Sequence, residues 1–184
     1  MRIISGQLKG QRYEMPGKSQ KTRHTTDMAR EGLFNILQHQ IELQDLKVLD
    51  LFAGVGGVGY EFLSRGAEQV DFVEKYRGCC RFIQSQLQRF EMEDKGKVHQ
   101  ADVFAFLGQL PEQSYGLVFA DPPYALNKMQ SLPELIFSKN ILKKGGCLII
   151  EHDDRQDFAN HANFAQIRKY GQARFSIFWA DDAQ

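Results

Sequence analysis

Val48-Leu49-Asp50-Leu51-Phe52-Ala53-Gly54-Val55-Gly56-Gly57-Val58-Gly59 is the stretch that decides the fold. An apolar run of strand length ends in four glycines within six residues. Gly54, Gly56 and Gly59 fit the spacing G-x-G-x-x-G, and Glu74 stands twenty residues beyond Gly54, where a ribose-binding carboxylate belongs. Glycine suits such a loop because the chain turns sharply and a ligand approaches its backbone with no room for a Cβ. Strand, glycine loop, helix and acidic residue in that order read as a dinucleotide-type cofactor site. On pattern alone, NAD and S-adenosylmethionine compete for it.

Outward from this loop, short apolar runs alternate with helix-length stretches. Strands are expected at Val48–Phe52, Val70–Val73, Lys97–Ala101, Leu117–Ala120 and Cys147–Ile150, with helices at about 58–65, 78–92, 103–109 and 130–139. That alternation implies βαβ units and a parallel sheet covered on both faces. Phe164–Tyr170 and Ala173–Ala180 flank Gly171, with Phe175, Ile177 and Trp179 alternating, so the sheet is expected to close with an antiparallel hairpin. Before the first core strand, Arg2–Ser5 and Gly10–Glu14 read as a small β-hairpin. Residues 16–24 read as a polar loop, and a helix starts near Thr26 or Asp27, either a competent cap. It presents Leu33, Phe34, Ile36, Leu37 and Ile41 to the core. The expectation is one α/β domain, residues 25–184, with a basic hairpin and loop, residues 1–24, ahead of it.

The chain has 184 residues, 42% hydrophobic and 25% charged, enough for one well-formed core. No apolar run approaches the ~20 residues a membrane helix needs. The first residues lack the apolar stretch of a signal peptide, and three cysteines, two of them adjacent, make no disulfide framework. A reducing cytoplasm is expected. Net charge is zero, but residues 1–30 hold seven basic residues against two acidic ones. Such an asymmetric arm suits phosphates.

Asp50 tips the choice of cofactor. It lies near the end of the first strand, four residues before Gly54, where a carboxylate can face a cation. S-adenosylmethionine carries a sulfonium and an ammonium, whereas a pyrophosphate would be repelled. Asp102, after the third strand, suits the adenine amino group. Asp50, Glu74 and Asp102 thus put carboxylates at three successive strand C-termini, the edge where open α/β sheets bind ligands.

Asp121-Pro122-Pro123-Tyr124 follows the fourth strand directly. Two prolines remove two backbone donors and hold an extended turn whose carbonyls can accept. Asp121 and the Pro122 carbonyl can then accept from a single NH2 group. An aromatic amine has its lone pair delocalised into its ring. Two fixed acceptors favour the transition state in which that nitrogen becomes tetrahedral and positive. Tyr124 offers a face on which a flipped base can stack.

The succession Arg2-Ile3-Ile4-Ser5-Gly6, Lys9-Gly10, Thr25-Thr26-Asp27, Arg30-Glu31, Leu33-Phe34-Asn35, Val48–Gly54, Leu63-Ser64-Arg65-Gly66-Ala67, Phe72-Val73-Glu74 and Asp121–Tyr124 resembles the RsmD-like bacterial methyltransferases. These are 16S ribosomal RNA guanine-N2 methyltransferases with a Rossmann-like class I fold, a mostly parallel seven-stranded sheet. The resemblance implies that Gly54, Gly56 and Glu74 hold the methionine and ribose portions of S-adenosylmethionine, with Asp50 supporting the loop. It implies that Asp102 reads adenine, that Asp121 and Pro122 hold the target amino group and that Tyr124 holds the base. Arg2, Lys9, Arg12, Arg23 and Arg30 would contact RNA phosphates, naked or within a small subunit, the enzyme acting as a monomer without a metal. His24 stands where the family usually has proline, Met28 where it has arginine, and the asparagine usual near Gln86 or Gln88 is missing.

Three competitors remain open at this level: a DNA adenine or cytosine amino-methyltransferase, an RNA-binding or assembly protein without catalysis, and an NAD-dependent oxidoreductase. The first needs an element that reads a duplex groove, and 184 residues leave no room for a separate recognition domain. The histidines show no metal spacing with the cysteines.

Overall fold

A computed structural model describes residues 1–14, 27–123 and 125–180 of the chain. The loop expected at 16–24, with Arg23 and His24, the candidate cap Thr26, and Tyr124 lie outside the described residues.

The alternation expected from the sequence is present. Strands β1 (Lys47–Leu51), β2 (Gln69–Glu74), β3 (Gly96–Gln100), β4 (Tyr115–Ala120) and β5 (Leu142–His152) are connected through α2 (Gly57–Ser64), α3 (Arg77–Arg89), α4 (Val103–Leu107) and α5 (Ser131–Ser138). Helix α1 (Asp27–Gln40) precedes them, and β6 (Phe164–Tyr170) and β7 (Ala173–Trp179) follow. The sheet order is β3-β2-β1-β4-β5-β7-β6. The first five strands pair in parallel, and β7 enters antiparallel between β5 and β6. The chain moves outward from β1 through β2 to β3 and then returns to the other side of β1 as β4. The reversal between β1 and β4 opens a crevice at the strand C-termini, where ligands bind in such sheets. In register, Asp50 pairs with Phe119 and Leu51 with Ala120, so the glycine loop and Asp121 leave neighbouring strands at the same level.

Each face of the sheet has its own core, because successive strand residues point to opposite sides. Val48, Val70, Phe72, Leu117, Phe119, Ile149 and Phe175 pack with Leu33, Phe34 and Leu37 of α1, Phe62 of α2, and Ile83 and Leu87 of α3. Leu49, Leu51, Val73, Val118, Leu148 and Ile150 pack on the other side with Leu107 of α4 and Leu132 and Ile136 of α5. Ile36 and Ile41, expected in the core, are only half-buried.

The N-terminal segment is part of the first core. Its two β-prone runs reduce to one antiparallel bridge, Arg2 to Arg12, but Ile3 and Tyr13 are each 1% exposed and belong to the α1–α3 core. The fully buried Glu61 of α2 fastens this segment. Its carboxylate accepts from the Ile4 and Ser5 backbone N–H groups at 2.8 and 3.0 Å and from Arg65 Nε at 2.9 Å. A carboxylate is retained in a core only when so fully satisfied. Arg2, Lys9 and Arg12 remain exposed on the outside.

A second buried carboxylate, Asp71 in β2, bonds His99 Nε2 at 2.7 Å, Gln69 Nε2 at 2.6 Å and Tyr115 Oη at 3.1 Å. Burial alone would raise its pKa, but the His99 and Gln69 hydrogen bonds and the His99 and Lys47 charges outweigh that and lower it. His152, at the end of β5, is likewise enclosed, between Ser176 Oγ at 2.8 Å and the Asp153 carbonyl at 2.7 Å. Burial holds its pKa low.

Candidate active site

The loop between β1 and α2 takes its shape from left-handed residues. Phe52 has φ 58°, Gly54 56° and Gly56 83°. For Phe52 that conformation is strained by about 1 kcal/mol, and such strain gathers at ligand sites. A Cβ on Gly54 would meet nothing nearer than the Phe52 carbonyl at 4.0 Å, so the space over this residue is open to a ligand. Gly59 is required for a different reason. A Cβ there would stand 2.1 Å from the Phe72 ring, so this glycine lets α2 lie against β2.

The cleft beside the loop is lined by Met1, Arg30, Asp50, Phe52, Ala53, Gly54, Val55, Gly57, Val58, Phe119 and Asp121. It therefore brings together Asp50, Gly54 and Asp121 from the residues singled out in the sequence. Glu74 adjoins it. One carboxylate oxygen accepts from Gly54 N at 2.9 Å and the other from Tyr76 N at 2.7 Å. Asp102 lies one strand further out. Its Oδ1 caps α4, accepting from Phe104 N at 3.0 Å and Ala105 N at 3.3 Å. That local role is the ordinary one for an aspartate before a helix.

Asp121 follows β4, its backbone N–H donating to Leu51 O at 3.3 Å. The Pro123 carbonyl accepts from Leu126 N at 2.8 Å, whereas among the described residues none donates to the Pro122 carbonyl. This is the arrangement of acceptors expected of the tetrapeptide.

Arg30 requires a correction. It was expected on the RNA-facing surface, yet it is 1% exposed. Nη1 donates to Tyr13 Oη at 2.6 Å, and Nη2 donates to Arg2 O at 2.6 Å and Asp27 Oδ1 at 2.8 Å. It ties the N-terminal segment to α1 and cannot reach a surface phosphate. Its partners are remote in sequence or backbone atoms, so residue type alone carried no signal of this. Met1 and Phe52, also in the cleft wall, were equally silent.

Asp50 is 2% exposed, with Oδ2 accepting from Gly59 N at 3.1 Å. Burial pushes its carboxyl up to about 8, partly opposed by the Gly59 hydrogen bond and reinforced by the Glu74 charge. An unfolded aspartate titrates near 3.9. The raised value means that the ligand-free fold loses stability from this group as pH climbs from about 4 to about 8, and nothing further above that. A cation in the cleft favours the ionised form, so its binding expels the proton. Titration of S-adenosylmethionine between pH 6 and 9 should show wild-type affinity rising relative to Asp50→Asn, by up to about tenfold per pH unit, until pH 8. Parallel wild-type and variant curves would mean that Asp50 does not change its charge on binding.

These residues fit S-adenosylmethionine: an open left-handed glycine, a carboxylate at its N–H and a buried carboxyl poised to ionise beside a cation. Among the described residues, no group of three His, Cys, Asp or Glu side chains could hold a metal ion. Among those residues, too, no helix is long and apolar enough to cross a membrane.

The same architecture occurs in an RNA methyltransferase from Salinibacter ruber solved with S-adenosyl-L-homocysteine, 12% identical with a TM-score of 0.65 over 84% of this chain and 93% of that one. Fold and cleft define a class I S-adenosylmethionine-dependent methyltransferase. Residues 1–179 match the family described as "Conserved hypothetical protein 95", and the chain belongs to this RsmD-like family. It is similar to "Putative rRNA methyltransferase YlbH" of Bacillus subtilis (35% identity, 83% of each chain). It is also similar to "Ribosomal RNA small subunit methyltransferase D" of Haemophilus influenzae (29% identity, 92% of this chain and 87% of that one). Among solved structures, "Putative methyltransferase yhhF" from Escherichia coli superposes with a TM-score of 0.85 at 26% identity, over 100% of this chain and 99% of that one.

Proposed function

We propose that this protein transfers a methyl group from S-adenosylmethionine to the exocyclic N2 amino group of a guanine in 16S ribosomal RNA, acting as a monomer in the cytoplasm. The observation that carries this reading is that Asp121, opening Asp-Pro-Pro-Tyr, lines one cleft with Gly54 and Asp50. The names of the relatives, which act on ribosomal RNA of the small subunit, support the substrate class. When bound, the cofactor supplies an electrophilic methyl on a sulfonium. Gly54, Gly56 and Glu74 hold its amino-acid and ribose portions, Asp50 keeps the loop on α2, and Asp102 meets the adenine amino group. Asp121 and the Pro122 carbonyl accept from the target NH2, orient the nitrogen for in-line attack and stabilise the positive charge it develops. Tyr124 stacks on the flipped base. Exposed Arg2, Lys9 and Arg12, together with Arg23, meet RNA phosphates without reading sequence. Met28, 64% exposed where the family has arginine, leaves one such contact out.

The test is transfer of tritiated methyl to small ribosomal subunits lacking native methylation, to naked rRNA and to duplex DNA. Label recovered as N2-methylguanine from subunits or rRNA is the expected result. Label confined to DNA, or on another position of the RNA base, would overturn the assignment.

A further inference from the structure

The buried Arg30 has a donor left over. Three hydrogen bonds use Nη1 and Nη2, but its Nε–H, out of reach of solvent, has no hydrogen-bond partner among the described residues. A buried donor of a charged group is rarely left so, because water has been removed and nothing replaces it. The guanidinium lines the cleft and lies against the opening of α2. A Cβ on Gly57, the first residue of that helix, would come within 3.0 Å of Arg30 Nη1 and 2.8 Å of Tyr13 Oη.

The opening of α2 is itself electron-poor. Its cap is Gly56, no side chain caps it, and its first turn holds no acidic residue. The Gly59 N–H is taken by Asp50, but among the described residues the Gly57 and Val58 N–H groups have no acceptor. A helix N-terminus with free N–H groups favours an anion. Two positively polarised features thus meet at one wall of the cleft, and the carboxylate of Asp27 neutralises the guanidinium only from its 47% exposed side.

We infer that Arg30 is a cofactor-binding residue: its guanidinium and the opening of α2 together seat the carboxylate at the amino-acid end of S-adenosylmethionine. Cofactor and target amine come from opposite ends of this cleft, Arg30 holding the first where Asp121 holds the second. Arg30 also fastens the N-terminal segment through Tyr13 and Arg2, so cofactor binding firms the segment that bears Arg2 and Arg12. The inference rests on the cofactor alone and is independent of which base is methylated.

The test compares binding of S-adenosylhomocysteine with that of its decarboxylated analogue, which keeps the amine and lacks only the carboxylate, by calorimetry. Wild type should prefer the carboxylate by roughly tenfold to a hundredfold, the range of a charge-assisted hydrogen bond. In Arg30→Gln the preference should shrink to about twofold, while Tyr13→Phe, which removes one clamp bond and leaves the cation, should retain it. Equal affinity of wild type for the two ligands would overturn the proposal whether or not the Arg30 variant folds. So would an Arg30→Gln protein that loses affinity for both by the same factor, since a purely structural clamp predicts that. An Arg30→Gln protein with unchanged ligand preference but weaker RNA binding would reassign the free donor to an RNA phosphate.

Discussion

Asp121→Ala should lower methyl transfer by about two to three orders of magnitude while leaving S-adenosylmethionine affinity within about threefold of wild type. The size follows from what one preorganised electrostatic partner of a developing charge is worth in a water-poor site. The separation of effects follows from position. Asp121 reaches the cleft from β4, whereas the loop on the cofactor side is built from β1 and α2 and held by Asp50 and Glu74. The β4 end is anchored by the Asp121 backbone N–H on Leu51 O, a bond that alanine keeps. Asp121→Asn isolates the charge: it has the same size and one acceptor oxygen, yet it cannot stabilise a positive nitrogen as a carboxylate does. It should therefore lie far closer to alanine than to wild type in turnover. Single-turnover transfer to RNA, run beside equilibrium binding of the cofactor, checks both. A fall in cofactor affinity that matches the fall in rate would move Asp121 from the target side of the cleft to the cofactor side.

The expected core strands and the helices between them were legible because strand and helix periods differ and both faces of the sheet are covered. Val48–Phe52, Leu117–Ala120 and their kin are short unbroken apolar runs, and the glycines that end the first of them mark its loop. Strand β5 was legible only in its second half. Its first residues, Leu142-Lys143-Lys144-Gly145-Gly146, carry exposed charges, a glycine at φ 66° and a register shift against β4, so no periodicity announces them. The insertion of β7 between β5 and β6 was equally silent, since a hairpin fixes which strands pair but not which of them joins the sheet.

The candidate site divides in the same way. Asp50, Gly54, Glu74 and Asp121 are found together because each stands at a fixed distance from a strand end, and parallel strands bring those ends to one edge. Arg30 was misplaced because a charge in a basic segment reads as exposed, and what buries it, Tyr13 Oη and Arg2 O, comes from a hairpin far along the chain. Asp102 was legible twice over, as a strand-end carboxylate and as the cap of Val103–Leu107. Only the second role appears in its hydrogen bonds.

Two glycines of one loop should fail in opposite ways when replaced by alanine. At Gly59 the new Cβ would lie 2.1 Å from Phe72 Cε1 and 2.9 Å from Asp50 Oδ2. Phe72 is fully buried, with the Tyr60 ring 5.7 Å away on the same side of the sheet, so neither the ring nor the helix has room to retreat. Overpacking of this kind costs about 3 kcal/mol or more, which in a domain of this size lowers Tm by roughly 6–12 °C. At Gly54 the methyl group meets nothing closer than 4.0 Å, and the penalty is the left-handed backbone alone, about 1 kcal/mol. That methyl nevertheless projects where a ligand must approach the chain. Gly54→Ala should stay folded with Tm lowered by only a few degrees, yet bind S-adenosylmethionine roughly tenfold or more weakly, as a sterically blocked contact does. Thermal unfolding and cofactor titration on the two variants separate the roles. A Gly54→Ala protein with wild-type affinity would show that the cofactor lies away from this turn. A Gly59→Ala protein with unchanged Tm would show that α2 can lift from β2, and with it the Gly59 bond that holds Asp50.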